Sequence, residues 1–307
     1  MSLLSLIAVF LIEQLQPLSY RRMVADPVSA WADFIEVRFN DGEYRHGVIA
    51  WCLAVLLPVG LLAVLYYLLY ALSPLLAWVL NVGVLYLTMG FRQFSHHYTE
   101  IQLALREGDL PQARQLLAEW QGRSGELLGS EDIARLAIEQ ALAASHRHVF
   151  AVLLWFVLLP GPCGALLYRM SAIISERWNN RNIAEHNDFF TFSHQVFGMI
   201  DWLPLRATAS AFAIVGDFED AVYCWRTQAA QWPDRDLGIV LASGAGALGV
   251  QLGMPLLDGS EVTDRAALGT GDPADVDFMQ SAVGLVWRAT IVWMLLLFLL
   301  GLATLAG

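Results

Sequence analysis

Three stretches of this 307-residue chain are apolar for long enough to cross a hydrocarbon layer: Gly47 to Leu72, Pro74 to Phe91 and Ala289 to Ala306. Such a layer is about 30 Å thick and takes about 20 helical residues. A fourth stretch, Val149 to Ile174, has the length but is interrupted by Pro160-Gly161-Pro162. The apolar start, Met1 to Pro17, lacks a basic leader and an Ala-x-Ala exit, which predicts a retained segment rather than a cleaved signal peptide. Glu13 lies near its end, where an interfacial position avoids the cost of a carboxylate at mid-bilayer.

Arg21, Arg22, Arg38 and Arg45 fall between the first and second apolar segments, whereas the turn at Ser73-Pro74 carries no charge. The positive-inside rule then predicts that the Arg-bearing loop is cytoplasmic and that Gly47 to Phe91 is a hairpin reaching the far side and returning. After Phe91 the sequence becomes polar and periodic through Arg147. Ile101, Ala104 and Leu105 precede a break at Gly108-Asp109, and Leu110, Ala113, Leu116, Leu117 and Trp120 follow it at helical intervals before a stop at Gly122. Ser130 is the expected start of the next helix, with Glu131 and Asp132 in the first turn where the helix dipole favours them.

Arg169, Arg177 and Arg181 follow Val149 to Ile174 and sit on the wrong side if that segment crosses completely. A helix broken at Pro160-Gly161-Pro162 and turning back removes the conflict, and a plain span remains the other reading. Phe192, Val196, Met199, Ile200 and Leu203 predict one face of a helix ahead of Pro204. The small residues Gly244-Ala245-Gly246 and Gly249 permit close helix approach. Six acids between Asp258 and Asp277 surround Arg265 amid Gly, Thr and Pro, which reads as a solvated linker. Arg288 in the last helix is expected to snorkel to the interface.

The pattern predicts an all-α polytopic membrane protein with about four to five membrane helices and a cytoplasmic helical insert. The expected organisation is N-terminal membrane helices over 1–92 (1–17, 47–72, 74–91), the insert over 93–147, membrane and amphipathic helices over 148–254, an acidic linker over 255–277 and a C-terminal membrane helix over 278–307. The expected location is a bacterial inner membrane, with the lipid bilayer as partner and room for a membrane or cytoplasmic protein partner.

Composition narrows the chemistry. With 57% hydrophobic and 15% charged residues, water is not the only solvent of this chain. All eighteen basic residues are Arg, so Schiff-base and P-loop lysine chemistry is excluded. A net charge of −11 argues against nucleic acid as partner. Cys52, Cys163 and Cys224 are spaced for neither zinc nor a disulfide framework. His96-His97 and the pair His146 and His148 are read as solvated interfacial residues in preference to a metal site, which would need Glu100 or Glu139 close by. No metal site or cofactor is predicted from these residues.

An ordered set of motifs adds a family resemblance. Gly108-Asp-Leu-Pro-Gln-Ala-Arg114, Gly122-Arg123 and Ile133-Ala-Arg135 through Glu139 resemble the cytoplasmic insert of the CobD/CbiB superfamily. Gly161-Pro-Cys-Gly-Ala-Leu-Leu-Tyr168-Arg169 is similar to its Pro-rich membrane segment, and Asp201-Trp-Leu-Pro204-Leu-Arg206 to its Trp-x-Pro-x-Arg element. The resemblance implies two alternatives. One is an AmpE-like inner-membrane regulatory or accessory protein, non-catalytic and tied to β-lactamase regulation or cell-wall recycling. It is favoured because several of the family's polar motifs are absent: Ala25-Asp26-Pro27-Val28 stands where Gly-Asp-Pro and His-Pro-Val are expected, and Met170 to Ser175 replaces an Asn-Thr and Asp stretch. The other is an adenosylcobinamide-phosphate synthase, which attaches an aminopropanol-type side chain to adenosylcobyric acid and implies ATP and magnesium. On either branch Arg114, Arg123, Glu139, Arg169, Asp201 and Arg206 are the candidates for a residual polar cleft, with ion pairing of the insert as their bland role.

Overall fold

The computed structural model describes residues 2–15, 21–122, 127–185, 187–258 and 261–306. The chain is overwhelmingly helical, in the order α1 (Ser2–Leu15), α2 (Asp26–Phe39), α3 (Tyr44–Trp51), α4 (Leu57–Leu72), α5 (Pro74–Thr88), α6 (Phe91–Glu107), α7 (Leu110–Gln121) and α8 (Ser130–Ser145). It continues with α9 (Ala151–Leu158), α10 (Cys163–Glu185), α11 (Thr191–Val215), α12 (Phe218–Thr227), α13 (Arg235–Leu248) and α14 (Val276–Ala306). A π-helical turn at Cys52–Leu56 joins α3 to α4, and another at His146–Phe150 joins α8 to α9.

Three helices are long and apolar enough to cross a membrane: Tyr44–Leu72, Ser130–Leu158 and Val276–Ala303. Leu3–Glu13 and Pro74–Thr88 are shorter apolar helices. None of the sixteen residues of α4 is buried, although its sequence is almost wholly apolar. A helix of that composition without protein cover is stable only against lipid, and the chain is a membrane protein. The second long helix differs from the expectation. It begins at Ser130 and ends at Leu158, because the periodic stretch of the insert runs without interruption into the apolar one.

The chain folds as two compact units, Met1–Gln93 with Ala151–Leu203 and Phe94–Phe150 with Pro204–Gly307. In the first, the core is built from Ala32, Ile35, Ala50, Trp51, Ala54, Val55, Met170, Ile174, Trp178, Phe189 and Phe190. Gly47 is required there, since a Cβ would fall 2.1 Å from the carbonyl oxygen of Phe189. The helix is broken at Pro160-Gly161-Pro162, with Gly161 at φ +65°, and α10 turns back along α9. The broken-helix reading therefore holds over the plain span. Glu13 departs from the interfacial expectation, being only 4% exposed, because α1 packs on α5.

In the second unit α12 packs on α13 so closely that a Cβ at Gly246 would meet the carbonyl oxygen of Asp220 at 2.4 Å. The small-residue segment thus does what its composition predicts. Helix α7 is capped by the Asp109 carboxylate, which accepts from the Gln112 N–H at 3.0 Å, and stops at Gly122 with φ +71°. Helix α8 starts one residue earlier than expected: Gly129 is its cap, and its N–H donates to Asp132 at 3.3 Å. Pro204 does not end α11, which continues to Val215. Short strands interrupt the helical pattern: β1 (Val250–Gln251) pairs in parallel with β4 (Asp272–Pro273), and β2 (Leu256–Asp258) pairs antiparallel with β3 (Glu261–Thr263).

Candidate functional site

In the first unit, Arg169 and Asp201 are 3% and 5% exposed on α10 and α11. The Tyr168 hydroxyl donates to the Asp201 carboxylate at 3.0 Å. Buried carboxylates need such donors to offset lost hydration. Further along α10, Arg177 donates twice to Asp33, at 3.1 and 3.0 Å, and Arg181 donates to the same carboxylate at 3.0 Å. Arg181 also pairs with Glu36 at 2.5 Å. The bidentate contact to Asp33 holds the Arg177 guanidinium still further from deprotonation than usual. One turn of the pattern, Arg177 and Arg181 at i and i+4, therefore meets Asp33 and Glu36 on α2.

Asp41, Glu43 and His46 lie at the start of the first long helix, with ligand atoms within 4.8 Å of one another. His46 Nδ1 is 2.8 Å from Asp41. All three are surface groups, and sequence reasoning did not single them out.

In the second unit, Glu139 on α8 is buried and both of its oxygens are engaged. One accepts the Gly253 N–H at 2.8 Å, and the other is ion-paired with Arg265. Arg265 lies over the Trp232 ring at 4.8 Å. Its side chain is 12% exposed, so it is not the solvated residue of a linker that its acidic neighbourhood suggested. Arg135, one turn before Glu139, pairs with Asp132 at 2.5 Å. Arg114 donates to the Leu128 carbonyl at 2.8 Å and ties α7 to the approach to α8. Arg206 is half-buried on α11, and Arg123 lies outside the described residues.

The histidines divide. His96 is exposed and 3.3 Å from Glu100, and His97 stacks on Trp120. His146 is wholly buried and shares a hydrogen bond with Thr208 at 3.0 Å. The interfacial reading fails for His146 because the π-helical turn directs it into the α11 packing surface rather than outward.

Arg265 and Asp33 are the partners that sequence reasoning missed. Each pairs across more than a hundred residues of chain, and only a charged residue in an otherwise small-residue or aromatic segment could have hinted at it.

The family model described as CobD/Cbib protein matches residues 17–286. The chain is 37% identical over 270 residues to the protein of Stutzerimonas stutzeri named cobalamin biosynthesis protein CobD, covering 87% of each chain. It is 35% identical over 220 residues to the protein of that name from Chromobacterium violaceum, covering 72% of this chain and 70% of that one. No solved structure matches the chain. These relatives overturn the AmpE-like regulatory reading. That reading counted missing motifs one at a time, whereas the buried charges here are completed by partners far apart in sequence.

Proposed function

Because this chain belongs to the CobD/CbiB family, we propose that it is an adenosylcobinamide-phosphate synthase, joining an aminopropanol-type side chain to adenosylcobyric acid through an amide. The observation that carries the proposal is the 37% identity to a cobalamin biosynthesis protein over 87% of both chains. In this reading the protein is multi-pass in a bacterial inner membrane, with its Arg-bearing loops cytoplasmic.

The residues assigned to the reaction are Arg114, Arg123, Glu139, Arg169, Asp201 and Arg206. Arg169 offers positive charge to an anionic substrate group, and Asp201, held by Tyr168, offers negative charge to an ammonium. Both are buried, so their fields act with little screening. Glu139 and Arg114 hold main-chain groups in place.

The reaction implies ATP with magnesium. Asp41 and Glu43 are carboxylates of the kind that hold Mg²⁺ together with phosphate oxygens, so the donor set fits. When bound, the nucleotide supplies the activation of the carboxyl group. Neutralising the carboxylates' mutual repulsion and orienting the phosphates is what Asp41 and Glu43 contribute.

Complementation tests the proposal. A strain lacking its own synthase and carrying this chain is expected to regain growth that depends on cobalamin made from the earlier precursor. No growth, with the protein present in the membrane, would overturn it.

A further inference from the structure

Among the described residues, Met254 is the one non-glycine residue at positive φ, +67°, directly after Gly253 at +74°. A residue with a Cβ is rarely found there, and it stays there only where its surroundings over-determine it. The surroundings do so. The Gly253 N–H is held by Glu139 at 2.8 Å. A Cβ on Gly253 would fall 1.9 Å from the Ala266 carbonyl oxygen, so the neighbouring strand leaves no room to relax. Leu252 and Leu268 exchange two main-chain hydrogen bonds, of 2.8 and 2.9 Å. Arg265 closes the ring by pairing with the second oxygen of Glu139 while resting on Trp232.

With both oxygens committed, Glu139 is not free to carry a proton or a metal. Its work is geometric. A turn with a purely structural duty would carry glycine at position 254, as the other left-handed positions of this segment do at Gly249, Gly253, Gly269 and Gly271. Methionine keeps the strain instead. Met254 is half-buried and Pro255 is exposed, so the strained turn reaches the surface beside a buried ion pair.

We propose that Glu139 and Arg265 are positioning residues, which hold the left-handed Gly253–Met254 turn in the conformation in which its main chain meets the substrate. This role rests on the amide-forming function proposed above.

The test compares the full-length protein with Glu139→Ala, Glu139→Gln, Arg265→Ala and Met254→Gly. Two readouts are taken: product formation from adenosylcobyric acid, amino-alcohol phosphate and Mg·ATP, and amide hydrogen exchange of the 249–255 peptide. Glu139→Ala and Arg265→Ala are expected to lose exchange protection in that peptide while α12 and α13 keep theirs. Their kcat is expected to fall on the order of 100-fold with KM little changed, the size of effect that follows about 1 Å of misplacement. Glu139→Gln keeps an acceptor for the Gly253 N–H and is expected to recover part of both losses. Met254→Gly relaxes the turn without touching the ion pair, so it is expected to unfold at a higher temperature and still turn over more slowly. Wild-type kcat in Met254→Gly, or in Glu139→Ala with the turn's protection gone, would overturn the inference and leave the reaction standing. A wild-type protein that makes no product would overturn the reaction and this inference with it.

Discussion

The main chain of Gly164 lies against the carbonyl oxygen of Trp155, so close that a Cβ on Gly164 would sit 1.8 Å from it. This contact closes the helical hairpin of α9 and α10 just past the Pro160-Gly161-Pro162 break. At the same break, Gly161 accommodates the Tyr66 ring, whose nearest atom would be 2.9 Å from an added Cβ. Gly164→Ala is expected to destabilise the protein by about 1–3 kcal/mol, the usual cost of overpacking. Thermal unfolding in detergent measures it. An unchanged midpoint would mean that α9 and α10 are not apposed as described.

Tyr98 supplies a pH dependence. Its hydroxyl donates to the Met279 carbonyl at 2.7 Å, and burial pushes the phenol's pKa above its ordinary value. The folded protein therefore holds this proton more tightly than the unfolded chain does. The associated stability is complete below the ordinary phenol value of about 10 and is lost as pH rises beyond it. Tyr98→Phe is expected to cost about 1 kcal/mol at neutral pH and to flatten the alkaline fall in unfolding temperature. Parallel alkaline slopes for the two proteins would refute the assignment.

The Asp33 carboxylate, shared by Arg177 and Arg181, is partly exposed. Asp33→Asn is expected to cost no more than about 1 kcal/mol, because solvent and salt screen such pairs. Because the contact raises the guanidinium pKa of Arg177, the contribution is present at every pH below the Arg range and does not titrate near neutrality. Raising salt should shrink the difference between wild type and variant, while moving pH from about 6 to 9 should leave it unchanged. Unfolding midpoints over a salt series and a pH series separate the two.

Cys224 is fully buried on α12, and burial pushes its thiol pKa up. The reactive thiolate is therefore scarce as well as shielded. In the native protein Cys224 is expected to resist a maleimide that labels the partly exposed Cys52, and to react once denaturant is added. Mass spectrometry of labelled peptides reads this directly, and equal labelling of the two cysteines under native conditions would contradict it.

Much of the scaffold is legible in the sequence because its signals are local. Apolar runs mark the long helices, Gly108-Asp109 and Gly122 bound α7, and Pro160-Gly161-Pro162 marks the helical break. The charged positions were less legible. Glu139 stands out in the α8 pattern, but its partner Arg265 is 126 residues away in a stretch whose acids and glycines look solvated. Composition cannot show that a short parallel bridge of β1 and β4 folds that stretch onto the helices. His146 defeated helical periodicity for a different reason, since periodicity assumes a constant twist and the π-helical turn beginning at His146 changes it.

The same change of twist governs the first long helix. Before and within the turn at Cys52–Leu56 the chain buries Gly47, Ala50, Trp51, Ala54 and Val55, and beyond it α4 buries nothing. Each residue of an α-helix advances the side-chain direction by about 100°, and a π turn absorbs one extra residue. Deleting a single residue from 52–56 would swing the whole of Leu57–Leu72 by that angle, carrying Tyr66 away from Gly161. The wide lipid-facing surface would accept any rotation, but the helical hairpin tip would not. The tolerance of this helix to insertion and deletion is therefore a matter of counting, in which one residue is already too many.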